Sequence, residues 1–406
     1  MTSVAVIGAG VTGVTTAYAL LEHGYDVTVI DRERYAAMGT SFANGGQLSA
    51  SNAEVWTHLG TIVKGLSWMF RADAPLLVNP WPSWHKYSWF VEFLKNTSSY
   101  QQNTIETAKM ALAARKHLLS MAEAEEIEFD LVEKGILHIY SDRKSFEHAA
   151  DVTKMLNEAG LERTAVTNEE IRCLEPALCG EFYGGYYTPS DFTGDIHKFT
   201  RGLAEACERK GATFLFQSDV ESVTTMGEKV ELCIRSKGAD KAAPTLFDKA
   251  VVCAGTGSKQ MAAKVGEKIN IYPVKGYSIT VNLNSEASRQ SAPWVSLLDD
   301  DAKIVTSRLG ENRFRVAGTA EFNGYNQDVR SDRINPLVGW VERHFPNVDT
   351  DDVISWSGLR PMMPNMMPRV GKGKQPGIYY NTGHGHLGWT LSAFTAQIIC
   401  GMINQK

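Results

Sequence analysis

Three glycines set between two apolar runs constrain this chain more than any other feature. The run Val4-Ala5-Val6-Ile7 is followed by Gly8-Ala9-Gly10-Val11-Thr12-Gly13, then by a helical pattern, and a second run, Val27 to Ile30, ends on Asp31. Gly8 and Gly10 permit a tight turn and let backbone N–H groups approach a pyrophosphate, and Gly13 lets helix pack on strand. The N-terminus of that helix favours negative charge. Asp31 stands eighteen residues after Gly13, where a carboxylate accepts hydrogen bonds from ribose hydroxyls. Arg32 follows it and can reach a 2′-phosphate, but the acid would repel one, so the unit reads as a site for FAD or NAD rather than NADP.

The 406 residues suffice for two or three domains. A net charge of −5 with no long basic run speaks against nucleic-acid binding. The six cysteines have no CxxC spacing and read as reduced core residues, and no metal site is expected. No run of eighteen apolar residues marks a membrane span. With the chain opening on the nucleotide-binding strand, no secretory signal is expected and the compartment reads as cytoplasmic.

Along the chain, Val14, Ala17, Tyr18 and Leu21 recur at helical spacing and Gly24 stops the first helix. Residues 36–54 read as a loop and 101–125 as a helix. Stretches 135–140 and 184–189 read as strands, 196–216 as a further helix and strand, and 220–223 with 229–234 as a polar strand pair. Residues 247–254 read as one apolar strand and 390–403 as the final helix. Nucleotide-domain elements thus occur at both ends and in the middle. The expected architecture is α/β plus β: a Rossmann-like FAD-binding domain built from 1–55, 145–225, 248–268 and 355–406, with a discontinuous antiparallel-sheet substrate domain built from 56–144, 226–247 and 269–354.

Two further patterns carry chemistry. Gly383-His384-Gly385-His386-Leu387-Gly388-Trp389-Thr390 precedes a helix, so its amides and helix dipole suit an anion. Its two histidines lack the partners a metal site needs. Arg360, in a Gly-Leu-Arg-Pro setting, is the best candidate for gripping a substrate carboxylate, because a guanidinium binds one through two parallel hydrogen bonds. Tyr277 can add a hydroxyl to that carboxylate, and Arg308 is a weaker candidate for the same place; both also suit structural roles. Residues 56–91 hold five of the nine tryptophans with Lys64, Arg71 and Lys86 among them. They suit either contact with a membrane surface or quinone, or an aromatic-packed lid.

Taken together, several segments resemble the FAD-dependent D-amino-acid oxidase superfamily, and within it most the bacterial D-amino-acid dehydrogenases in their small, flavin-carrying subunit. They are VAVIGAGVTGV at the start, VTVIDRE, TSFANGGQLS at 40–49, WMFRADAPL at 68–76 and EPAL at 175–178. The series continues with DFTGD at 191–195, YPVKGYS at 272–278, WSGLRPMMP at 356–364 and NTGHGHLGWT at 381–390. The resemblance implies FAD as cofactor, with Thr40, Ser41, Asn44, Gly45, Gly46 and Gln47 lining its cavity. It implies Val220 and Gly255 at the adenosine end, though Val220 is nearly as well read as an ordinary strand residue. Gly385, Leu387, Gly388, Trp389 and Thr390 would lie at the flavin, with His384 beside it and Arg360 on the substrate carboxylate. The implied reaction is oxidative deamination of D-amino acids by hydride transfer from Cα to flavin N5, with electrons passed to a quinone or respiratory-chain acceptor, and with peripheral contact at the inner face of the cytoplasmic membrane. Alternatives are a secondary- or cyclic-amine oxidoreductase acting on sarcosine, glycine, D-proline or hydroxy-D-proline, an NAD-dependent dehydrogenase, and a non-catalytic flavin-binding subunit. Asn365 and the SASNAEVW loop after Gln47 depart from the family pattern, and they bear on substrate identity more than on chemistry.

Overall fold

The computed structural model describes residues 1–58, 60 and 75–405. Strand Ser3–Ile7 lies inside a six-stranded sheet ordered Arg369–Lys372, Ile378–Thr382, Lys249–Val252, Ser3–Ile7, Asp26–Ile30, Thr213–Leu215. All neighbours run parallel except the edge strand Arg369–Lys372. Both faces of the sheet are covered, so its strands are apolar throughout rather than alternating. Val4 and Val6 point to helices Val11–Glu22, Ile196–Arg209 and Gly388–Asn404, where they meet Val14, Phe199 and Ala396. Ala5 and Ile7 point the other way, onto Val220, Val230 and Leu232 of a three-stranded antiparallel sheet. That sheet comprises Ser218–Met226, Lys229–Ser236 and Ala243–Phe247. The single apolar strand expected over 247–254 is therefore two: Phe247 ends the antiparallel sheet, and Lys249–Val252 pairs in parallel with Ser3–Ile7.

A mixed, largely antiparallel sheet of nine strands forms the second layer system. Its spine is Tyr272–Asn282, paired on one side with Val353–Met362 and on the other with Arg313–Phe322. Helix Ser331–His344 packs on one face, burying Ile334, Leu337 and Val341 against Tyr277, Ile279 and Val281. Strands Thr164–Val166 and Gly184–Thr188, and all but the first two residues of Val353–Met362, lie within the ranges expected for the nucleotide-binding part, yet they pair into this sheet. Conversely, 226–247, expected with the substrate part, packs on the nucleotide sheet. Hydrogen-bond partners far apart in the chain decide such membership, so local patterns do not reveal it. Of the six free cysteines, Cys207, Cys253 and Cys400 are core residues, whereas Cys173 and Cys179 are exposed.

Behind the spine strand, Lys275 and Glu321 form a fully buried ion pair at 3.2 Å, and Tyr277 donates to the same carboxylate at 2.7 Å. Lys275 also donates to Asn326 at 2.7 Å, which helps satisfy a charge removed from water. Lys275→Met leaves Glu321 short of its nearest cation, and a loss of about 3–5 kcal/mol is expected for half of a buried pair. Urea unfolding should show the midpoint falling with an unchanged slope.

Candidate functional site

A cavity of about 1310 Å³ lies between the two sheets and is lined by residues from both. It exceeds the roughly 300–1,000 Å³ usual for a small-ligand cleft, so it has room for a dinucleotide and a substrate together. At one end Gly8 takes φ +113°, a conformation favouring glycine, and a Cβ there would strike the Cys253 carbonyl. A Cβ on Gly13 would overlap the Gly8 carbonyl oxygen, so Gly13 exists for helix–strand contact and does not line the cavity. Gly10 differs from both. Its φ is −74°, and a Cβ would meet only the Ser41 hydroxyl, at 3.5 Å. The protein leaves that space open at the N-terminus of the first helix, where a phosphate is best held.

Asp31 holds the loop with both oxygens, accepting from the Ala9 amide at 2.5 Å and the Glu33 amide at 2.8 Å. It also lines the cavity, and a carboxylate retains lone pairs for a ribose. Arg32 lines the cavity but is largely exposed, 3.9 Å from Glu33. Val220 and Gly255 both border this end. The Val220 carbonyl accepts from Lys264, and Gly255 takes a left-handed φ of +53°.

Five residues of the stretch 40–47 are bonded across to the large sheet. Thr40 donates to the Leu359 carbonyl at 2.9 Å, and Ser278 donates to the Ala43 carbonyl at 2.7 Å. Arg315 donates to the Asn44 carbonyl at 2.9 Å, and Ser307 to the Gly45 carbonyl at 2.7 Å. The Gln47 amide donates to Ser296 at 2.8 Å and to Leu297 at 3.1 Å. Ser41 faces the other way and accepts from the Val11 amide at 3.0 Å, at the head of the first helix. Gly45 and Gly46 are required because a Cβ on either would run into Val305 or Ser307.

Along the middle of the cavity lie Gly385, Leu387, Gly388, Trp389 and Thr390. No side chain caps helix Gly388–Asn404, so its partial positive charge is open to the cavity. Gln47 Oε1 and Trp389 Nε1 are buried, line the same space, and have no protein partner among the described residues. An orphaned acceptor and donor beside an open helix N-terminus, together with the space at Gly10, fit a flavin dinucleotide. His384 bonds Thr395 through Nε2 at 3.0 Å, and burial lowers its pKa to about 3. His386 stacks on Trp56 with centroids 5.0 Å apart, and burial lowers its pKa to about 4. Both rings are therefore neutral at physiological pH, and the two histidines of this motif go to different partners.

Arg360 lies at the far end. Its NH1 donates to the Thr319 carbonyl at 2.9 Å, and among the described residues no carboxylate pairs with it. Burial lowers its pKa to about 10, so it stays charged. A β-bulge makes the seat: Lys275 pairs with Glu321 and Tyr277 with Gly318, which leaves Thr319 and Ala320 opposite Gly276 alone. Thr319 takes φ +62°, and Gly276 has no Cβ because the Arg360 guanidinium fills that position.

Two expectations for this end change. Tyr277 borders the cavity, but its hydroxyl is buried and committed to Glu321. Arg308 does not line the cavity; it donates to the carbonyls of Arg289, Ala292, Gly310 and Glu311 and clamps a turn. Strand pattern alone cannot place a side chain when a bulge shifts the register beside it. Sequence reasoning also passed over Asp191, whose carboxylate receives the Ala50 and Ser51 amides, both at 3.0 Å, and Arg115. The pair of acids in Asp191-Phe192-Thr193-Gly194-Asp195 was the available signal, since acids flanking a glycine often anchor loop amides.

Fold and cavity together define a dinucleotide-binding oxidoreductase architecture whose cavity spans the two large sheets. The chain belongs to the FAD-dependent oxidoreductase family, whose model matches residues 3–402. It is 60% identical over 403 residues to D-amino acid dehydrogenase 3 of Mesorhizobium japonicum, covering 99% of this chain and 97% of that protein. It is 39% identical over 411 residues to a D-amino acid dehydrogenase of Dechloromonas aromatica, covering 99% and 97%. Glycine oxidase from Geobacillus kaustophilus shares the fold with a TM-score of 0.77 at 18% identity, covering 100% of this chain and 96% of that one. L-Proline dehydrogenase from P. horikoshii does so with a TM-score of 0.76 at 14%, covering 100% and 93%.

Gly10→Ala and Gly13→Ala should separate cofactor binding from folding. Gly10→Ala is expected to leave the apoprotein's melting temperature within about 1–2 °C, as for a harmless surface change, while FAD affinity falls sharply. Gly13→Ala must push the first helix off its strand and should lower both. Thermal unfolding of the apoproteins and FAD titration distinguish the two.

Proposed function

We propose that this protein is an FAD-dependent dehydrogenase that oxidatively deaminates D-amino acids to 2-oxo acids and ammonia. The observation that carries the reading is Arg360: a buried guanidinium in a cofactor-sized cavity, held by one backbone carbonyl and paired with no acid among the described residues. A buried cation without a counter-charge is costly, and a substrate carboxylate supplies one in bidentate geometry. The names of the curated relatives that span the chain support the D-amino acid as substrate.

Bound FAD supplies the two-electron acceptor. Gly8, Gly10 and the first helix would hold the pyrophosphate, Asp31 the ribose, and Gln47 and the amides at Gly388–Thr390 the flavin. The chain itself fixes and desolvates the substrate. With its carboxylate held on Arg360, the amino acid can turn only about that anchor, which restricts where Cα sits. The amine reacts as the neutral base, since its lone pair must drive loss of hydride from Cα. The imino acid formed takes up water and releases ammonia, leaving the 2-oxo acid. His384 and His386, kept neutral by burial, add no second cation to compete for the carboxylate. His384 serves as a brace, tying the glycine turn to Thr395 in the last helix.

For the electron acceptor we infer a quinone or another respiratory-chain carrier met at a membrane surface. The support is one helix face: Trp84, Tyr87, Val91 and Leu94 recur at helical spacing on Trp84–Lys95 and are exposed, with Trp81 beside them 78% exposed. Trp89 is instead buried and donates to the Met362 carbonyl at 2.9 Å, and Trp56 lines the cavity against His386. Lys64, Trp68 and Arg71, from the same stretch, lie outside the described residues. Among the described residues no helix is long and apolar enough to cross a membrane.

Arg360→Ala should retain flavin yet raise KM for D-amino acids roughly a hundred- to a thousandfold, the loss expected when one partner of a buried charge pair is truncated. Steady-state rates with an artificial acceptor, alongside anaerobic flavin bleaching, measure it. A near-normal KM removes the anchor. Separately, the holoenzyme should co-sediment with phosphatidylglycerol–phosphatidylethanolamine vesicles, and Trp84→Ser combined with Leu94→Ser should release it without changing turnover with the artificial acceptor.

A further inference from the structure

Beyond the flavin and carboxylate positions, the cavity extends along helix Arg143–Glu158 and the loop after Gln47. Glu54 lines this outer part. Both of its described partners reach one oxygen: Tyr100 donates to Oε1 at 2.6 Å, and His148 Nε2 lies 3.0 Å from the same atom. Among the described residues nothing bonds Oε2. Lys303, the other cation whose field reaches Glu54, is tied to Asp300 at 2.5 Å. The side chain is half-buried, 29% exposed where it borders the cavity, and its proton affinity is lowered by His148 and Tyr100 against the opposing effect of burial. An ionised carboxylate has about four acceptor positions, so two donors on one oxygen leave Oε2 open to a further donor that reaches it from the cavity.

We propose that Glu54 is the counter-charge for a cationic substrate side chain, which makes basic D-amino acids the preferred substrates of this site. The inference rests on the deamination reading above and adds to it the class of side chain. Position favours the side chain over the α-amine. Glu54 lies in the wall that contains Trp56 and His148, whereas Arg360 lies in the large sheet, so the acid and the carboxylate anchor belong to different walls of one cavity. Chemistry favours it too. A carboxylate touching the α-amine would hold that amine protonated, and a protonated amine cannot drive loss of hydride from Cα. Trp56, Ala149 and Val152 line the same cavity and offer apolar surface to intervening methylenes. The ammonium or guanidinium of a long side chain then meets Glu54 Oε2 in a charge-assisted hydrogen bond, roughly twice as strong as a neutral one.

The test compares D-lysine, D-ornithine and D-arginine with D-norleucine, which has the lysine chain without its nitrogen, on the holoenzyme by anaerobic flavin bleaching. The wild type should favour D-lysine over D-norleucine in kcat/KM by roughly ten- to a hundredfold, the scale of one charge-assisted hydrogen bond. Glu54→Gln should bring the two close to parity by lowering D-lysine while leaving D-norleucine unchanged. Glu54→Asp, which keeps the charge on a shorter arm, should retain part of the preference. Equal or better use of D-norleucine by the wild type overturns the proposal whatever the variants do, as does a D-lysine preference that survives in Glu54→Gln. Bleaching by D-norleucine and D-methionine but not by basic substrates leaves deamination standing and removes only the Glu54 assignment. Bleaching by no D-amino acid removes both.

Discussion

The site depends on one short piece of backbone, residues 40–47, being hydrogen-bonded at once to the large sheet and to the first helix of the nucleotide-binding part. On one side the Ser41 hydroxyl accepts the first amide of the helix that follows the glycine turn. On the other, the carbonyls of Ala43, Asn44 and Gly45 accept from Ser278, Arg315 and Ser307 of the large sheet. A carbonyl buried between two layers without such donors would cost about 1–3 kcal/mol each, so the three donors fix where the loop can run. Gly45 and Gly46 then follow as requirements, because no side chain fits between this loop and the sheet. The same strip sets the distance from the phosphate end to Arg360, since Thr40 is bonded to Leu359, the residue next to it.

Charge is distributed along the cavity in a way that matches this geometry. At the flavin and substrate positions the positive features are the uncapped N-terminus of Gly388–Asn404 and the Arg360 guanidinium. The histidines between them are kept neutral, so they do not blur the two positions. Further out, the Glu54 carboxylate reverses the sign. Charges set in low-dielectric walls are screened less than in bulk water, and their alternation orients a dipolar ligand before any close contact forms.

The nucleotide-binding end was legible in the sequence because its constraints are local. Three glycines, an apolar run on either side and one acid all fall within thirty-one residues, and each has its own steric or hydrogen-bonding reason. Arg360 was legible for a related cause: a guanidinium in a tight Gly-Leu-Arg-Pro context has few structural uses. What could not be read depends on distant pairing. Tyr277 lies only one residue from Gly276, yet its hydroxyl is buried and committed to Glu321. A bulge formed with residues 318–321 decides what stands opposite each of them. Glu54 gave no signal because its two partners lie 46 and 94 residues further along the chain. Most of strand Val353–Met362 was grouped with the nucleotide part by proximity in sequence, whereas its ladder runs along Tyr272–Asn282.

That bulge also explains why a buried ion pair sits directly behind the substrate anchor. Lys275 and Glu321 face away from the cavity, and as a source of stability a buried pair barely breaks even with an apolar one. Its geometry does something an apolar pair would not. Lys275 is the last residue in register with Glu321 before the strand slips, so the pair fixes the side on which the slip occurs. The slip leaves Thr319 in a left-handed conformation with its carbonyl turned to Arg360, and it places Gly276, the one residue without a side chain, beneath the guanidinium. Moving the register by one residue would put Lys275 or Tyr277 where Gly276 stands, and the arginine could not occupy its seat. The ion pair thus acts as a register lock. The specificity of its partners, rather than its net energy, accounts for two charges buried next to a site that needs its own charge uncontested.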